Sequence, residues 1–152
     1  MATTTQSRPL VPYAVLTAAF NAALGGALIA GRRRLPERIG AGDLALLSVG
    51  TYRLSRLITR DRVTSGIRAP FTRFQDDAGP AEVDEAARGT GLRRAIGELL
   101  VCPYCFEQWT AGGYVVGFVF APRATRLVAS MFTIVAGADV LQHGYKVLQE
   151  RA

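Results

Sequence analysis

The apolar positions of this chain are bunched into long runs joined by short charged connections. Residues 10–30 form a run of 21 without a charged side chain. Coiled as an α-helix, such a run rises about 1.5 Å per residue and reaches roughly 30 Å, the hydrocarbon thickness of a bilayer. A second segment, 42–60, is apolar through Tyr52 and then sets Arg53, Arg56 and Arg60 on one helical face, opposite Leu54, Leu57 and Ile58. Asp43 stands where it would cap this helix. The pattern allows an oblique span with snorkelling arginines or a helix lying in the interface. Residues 92–101 read as a short amphipathic helix. Pro103 interrupts it and suits the first turn of a new helix over 103–121, after which a short turn at 122–126 leads to a last apolar helix over about 125–144.

Between these runs the chain is polar. Residues 1–9 are a Thr-rich tail expected to be disordered. The basic stretch 60–74 contains Gly66 and Pro70, which argue against one long helix. From Asp76 to Glu85 the sign reverses, with five acids and no base, which reads as a mobile aqueous loop. The predicted fold class is therefore all-α and integral to the membrane. It has four helical segments, three or four of them transmembrane, plus the short amphipathic interfacial helix. The expected layout is the tail, an additional N-terminal transmembrane helix at 10–30, and a membrane domain at 42–152 with a cytoplasmic loop at about 61–91, giving a multi-pass protein of the cell membrane.

Composition sharpens this picture. Hydrophobic residues make up 49% of the chain alongside 20% charged ones, and the mean hydropathy is +0.19, high for a chain so charged. The net charge of +6 comes from seventeen arginines and a single lysine, Lys146. Most of the arginines flank the apolar runs, and no aromatic-interleaved basic patch accompanies them, which excludes nucleic acid as the expected partner. The lipid bilayer and its anionic headgroups are the expected counterparts. Only Arg8 precedes the first run while Arg32, Arg33, Arg34 and Arg38 follow it, a stop-transfer pattern rather than that of a cleaved signal peptide. Small residues recur at four-residue spacing in Ala18, Ala22, Gly26 and Ala30, in Gly113, Gly117 and Ala121, and in Ala129, Thr133 and Gly137. Such faces let helices approach closely in lipid and suggest a membrane-protein partner or a homo-oligomer.

The chemistry-bearing residues gather at the helix ends expected on the cytoplasmic side. They are Arg53, Arg56, Glu98, Cys102, Cys105, Glu107, Asp139 and His143. Ionisable groups at membrane depth are costly unless paired, so pairing of Arg56 with Glu107 or Asp139 is expected, serving either structure or a binding site. Cys102-Pro103-Tyr104-Cys105 shares its spacing with glutaredoxins, whose chemistry needs a thiolate at a helix N-terminus, but no strand pattern surrounds it here. Cys102, Cys105 and His143, with Asp139 as a fourth ligand, are also weak candidates for a metal site. No cofactor is expected and no complete catalytic set is visible, which points away from an enzyme.

Three blocks resemble a known family. Thr51-Tyr52-Arg53-Leu54-Ser55-Arg56-Leu57-Ile58 is followed by Asp61, then by Ile67-Arg68-Ala69-Pro70-Phe71. Gly91-Leu92-Arg93-Arg94-Ala95-Ile96-Gly97-Glu98-Leu99-Leu100 leads into the Cys-Pro-Tyr-Cys motif and Trp109. In these blocks the chain resembles the YjcA-like family of small bacterial membrane proteins of unknown function, sporulation-associated in its type member. The resemblance implies that the arginine-bearing segment ends a membrane helix. Three functions stay open: a scaffold or partner-binding module, a dithiol redox or metal-binding membrane protein, and a small oligomeric carrier or channel subunit.

Overall fold

The computed structural model describes residues 10–151; the expected disordered tail at 1–9 lies outside them. The first apolar run is one helix, α1 (Leu10–Ala30), followed by a 3-10 turn at Arg32–Arg34. The second segment is α2 (Ala41–Thr59), and a second 3-10 turn, Arg62–Thr64, leads into the single-turn α3 (Ser65–Arg68). An antiparallel hairpin follows, made of β1 (Thr72–Gly79) and β2 (Glu82–Ala87). The chain continues through α4 (Gly91–Val101), α5 (Pro103–Phe120) and α6 (Pro122–Gln149).

Two expectations are corrected. The fold is not all-α, because the acidic stretch read as a mobile loop is folded into the hairpin. Its strands pair from Thr72 opposite Ala87 to Gly79 opposite Glu82, with irregularities between Phe74 and Asp76 and between Asp77 and Gly79. Gly79 at φ 133° and Ala81 at φ 63° take the left-handed side of backbone space that reverses the chain around Pro80. Nor are there three or four spans: among the described residues only α1 and α6 are long and apolar enough to cross a bilayer. The physical reason is local. Arg53 and Arg56 cut the apolar run of α2, and Glu107 and Gln108 put two polar residues into the second turn of α5.

The helices pack as a bundle in which α2 contacts α5 and α6, and α1 lies along α4 and α5. Leu47, Tyr114, Phe118 and Ala129 form its centre, flanked by Leu46 and Leu54. Gly50 makes this possible. A Cβ there would stand 3.1 Å from the Tyr114 hydroxyl and 3.3 Å from Ala129, so α2 and α6 meet almost backbone to backbone. Hydroxyls join the helices as well: Ser55 donates to Thr110 at 3.0 Å, and Thr133 to the Leu46 carbonyl at 3.2 Å. Asp43 does not cap α2, whose N-cap is Gly40. It takes a two-pronged bond from Arg126 on α6 at 2.7 and 2.8 Å, which ties the ends of the two helices together.

α6 begins at Pro122, earlier than expected, and its burial is inverted relative to a soluble helix. Thr125, Ala129 and Ala136 are buried, while Leu127, Ile134, Val140 and Leu141 are each more than 70% exposed. Small residues therefore make the helix contacts and large apolar ones face outward.

Candidate functional site

At the end of the bundle where α2 finishes, the arginines of its last turns and of the turn that follows meet Asp61 and the acids of the hairpin one by one. Arg53 donates to Asp61 at 2.9 Å, Arg56 pairs with Glu82, Arg60 with Asp84, and Arg62 with Asp77 at 2.6 Å. Backbone bonds continue the alignment: Arg62 N–H donates to the Ala81 carbonyl at 2.8 Å, and Val83 N–H to the Arg60 carbonyl at 3.0 Å. The acidic stretch is therefore the internal counter-charge of the basic one.

Arg68 is the centre of this head. Its side chain is fully buried and forms a fork with Glu85 at 2.8 and 3.2 Å. The remaining donors go to the Ile58 carbonyl at 2.7 Å, the Asp61 carbonyl at 3.1 Å, Thr64 at 2.6 Å and Ser65 at 3.3 Å. Burial opposes ionisation of Glu85, but the bonds from Arg68, Thr72 and Ser65, together with the Arg68 charge, prevail and hold its carboxyl below the ordinary range. A depressed folded-state value contributes stability that is complete above the unfolded value and disappears as pH falls through the folded one. Hydrogen-exchange protection of the hairpin amides is thus expected to stay level from neutral pH to about 5 and to fall below about 4, under the ordinary glutamate pKa. Protection that already declines between pH 7 and 6 would contradict this assignment.

Beside the head lies a cleft of about 830 Å³ between α2, the hairpin turn and the last turns of α6. Four of the eight candidate residues line it: Arg53, Arg56, Asp139 and His143. Asp139 approaches Arg53 rather than Arg56, with Oδ2 2.9 Å from Nε; Arg53 Nε is buried and its N–H is not aligned for a hydrogen bond. The expected pairing of Arg56 with Glu107 or Asp139 is replaced by Glu82. Lys146, Asp61 and Glu82 complete the charged lining.

The other candidates lie elsewhere. Glu98 and Cys105 line a second groove of about 490 Å³ between α1, α4 and α5, walled by Tyr13, Phe20 and Trp109. Phe20 and Trp109 meet edge to face, with centroids 5.2 Å apart. Glu98 is bonded by Arg94 at 2.9 Å and by Tyr13. Cys102 and Cys105 are joined as a disulfide at the start of α5. Glu107 lines neither cavity. Cys102, Cys105 and His143 are not brought together, and no three His, Cys, Asp or Glu side chains among the described residues are placed to hold a metal ion.

Arg68, Glu85, Asp61 and Glu82 escaped the sequence reading as site residues. The signal that would have found Arg68, Glu85 and Glu82 is the match between the acids of 76–85 and the arginines of 56–68.

Comparison with known proteins places most of the chain in one family. The family described as "Protein of unknown function (DUF1360)" matches residues 46–145, so its match begins after α1. The chain is 29% identical over 102 residues to the sporulation protein YjcA of Bacillus subtilis (strain 168), covering 65% of this chain and 86% of that relative. It is 28% identical over 109 residues to the UPF0713 protein YngL of the same organism, covering 70% and 80% respectively. No solved structure matches it.

Proposed function

Because the chain belongs to the DUF1360 family, whose function is unknown, we propose its role from its surface: it is a membrane-associated partner-binding module. The observation that carries this reading is the outward face of α1. Ala18, Ala22, Gly26 and Ala30 are all exposed, so the face of small residues that favours helix association in lipid is left open by the bundle's own packing. The apolar surface of α6 supports a membrane setting for that face, because contiguous apolar area of this extent rarely faces water in a soluble monomer. In this arrangement α1 and α6 seat the chain in lipid. The ion-paired head stands at the membrane surface, where its own acids neutralise most of its arginines.

The chain is expected to sediment with membranes and to need detergent for release. Gly26 is exposed and has no atom within 4 Å of an added Cβ, so the side chain of Gly26→Ile starts in open space on the face where it blocks close approach of a second helix. Crosslinking in intact membranes should show the chain joined to a second copy or to another membrane protein. Gly26→Ile should lower that yield by about tenfold, in line with about 1–3 kcal/mol for forcing a larger side chain into a close contact. A yield unchanged by the substitution, or a wild-type chain that stays in the supernatant, would overturn the reading.

A further inference from the structure

We propose that the Cys102–Cys105 disulfide is a two-electron acceptor for dithiols of partner proteins, with Cys105 the sulfur attacked and Cys102 the sulfur that leaves. This does not rest on the partner-binding reading. Two independent features divide the labour between the sulfurs. Cys102 is the N-cap of the 18-residue α5, and its Sγ accepts the Cys105 N–H at 3.2 Å. A thiolate at that position is stabilised by the helix terminus and by a direct donor, which makes it the better leaving group. Cys105 is solvent-exposed and opens onto the aromatic groove, whereas Cys102 is half-buried and does not line it. The neighbouring Tyr104 is 82% exposed, so the approach is open among the described residues.

The step balances without a further reagent. A substrate thiolate attacks Cys105 Sγ, the Cys102–Cys105 bond breaks, and Cys102 departs as a thiolate. The second substrate thiol, once deprotonated, attacks its own sulfur in the mixed disulfide and releases Cys105. The substrate is oxidised to a disulfide, the Cys102–Cys105 pair is reduced, and the two protons of the substrate dithiol end on the pair or in solvent. The side chain of Glu98 shares the groove, so the attacking thiolate enters beside a carboxylate already engaged by Arg94.

The oxidised full-length protein in detergent, treated with reduced glutathione, quenched in acid and then alkylated, gives the test. Peptide mapping should place glutathione on Cys105 and the alkyl label on Cys102, with about a tenfold or greater preference over the reverse, as the difference in leaving group and access demands. Reduced, denatured ribonuclease serves as the protein dithiol and should gain disulfides in proportion to the Cys102–Cys105 pairs consumed. Equal labelling of the two cysteines, or incorporation only after denaturation, would show a structural disulfide and overturn the proposal. Reaction with glutathione but not with the protein dithiol would overturn the substrate class.

Discussion

Replacing Glu85 by alanine is expected to cost about 3–5 kcal/mol and to unfold the head, because it strands a buried charge. Arg68 has no exposed surface, and among the described residues Glu85 is its one carboxylate partner; the other acceptors are carbonyls and hydroxyls that bond the guanidinium without neutralising it. Glu85 also accepts from the Thr72 hydroxyl at 2.8 Å, so its loss removes one anchor of the first residue of β1 and leaves that hydroxyl the Arg68 carbonyl at 3.0 Å. Hydrogen exchange of the amides from Thr72 to Ala87 is the direct measurement. The double variant Arg68→Met with Glu85→Leu should recover part of the loss, since an apolar pair leaves no unpaired buried charge while the Ile58 carbonyl loses its donor. Asp77→Asn supplies the contrast. Asp77 and Arg62 are about 60% exposed, and pairs of that kind contribute about 1 kcal/mol or less. If Glu85→Ala and Asp77→Asn perturb exchange equally, the hairpin is not organised around Arg68.

The five longer helices were legible in the sequence because each reports itself locally, whereas the single-turn α3 falls in a basic stretch that showed no helical pattern. The charge-free run gave α1 to the residue, and Pro103 after an amphipathic stretch marked the junction between α4 and α5. The hairpin was not legible for an equally physical reason. Its strands, Thr-Arg-Phe-Gln-Asp-Asp-Ala-Gly and Glu-Val-Asp-Glu-Ala-Ala, are rich in residues that disfavour strands and show no apolar alternation. What holds them is long-range charge pairing to α2 and α3, which no window of periodicity sees. The same blindness divided the candidate site. Arg53, Arg56, Asp139 and His143 could be placed at one end of the bundle from helix phase alone, but Glu82 reaches Arg56 only through the hairpin, and Asp61 reaches Arg53 only because the chain turns back just after α2. Cys105 and Glu98 fall at the same end yet face a different groove, the one enclosed by α1, α4 and α5.

Gly97→Ala is expected to destabilise the protein by about 1–3 kcal/mol, the range for forcing extra volume into a closed contact. Gly97 lies on the buried face of α4, and a Cβ there would fall 2.4 Å from the Phe71 carbonyl oxygen and 3.0 Å from Ala87 Cβ. Neither neighbour can yield easily. The Phe71 carbonyl accepts the Arg88 N–H at 2.9 Å, its own N–H donates to the Arg68 carbonyl at 2.8 Å, and Ala87 is paired with Thr72 in the sheet. Helix propensity opposes this outcome, since alanine is favoured over glycine by about 1 kcal/mol inside a helix. Gly113 in α5 isolates that opposing effect, because nothing lies within 4 Å of its added Cβ. Gly113→Ala should therefore raise the detergent-solubilised melting temperature or leave it unchanged, while Gly97→Ala lowers it. Shifts of the same sign would mean that α4 is free to slide off the hairpin. The head would then be tied to the bundle by α2 alone, and the groove beside Glu98 and Cys105 would lose its fixed wall.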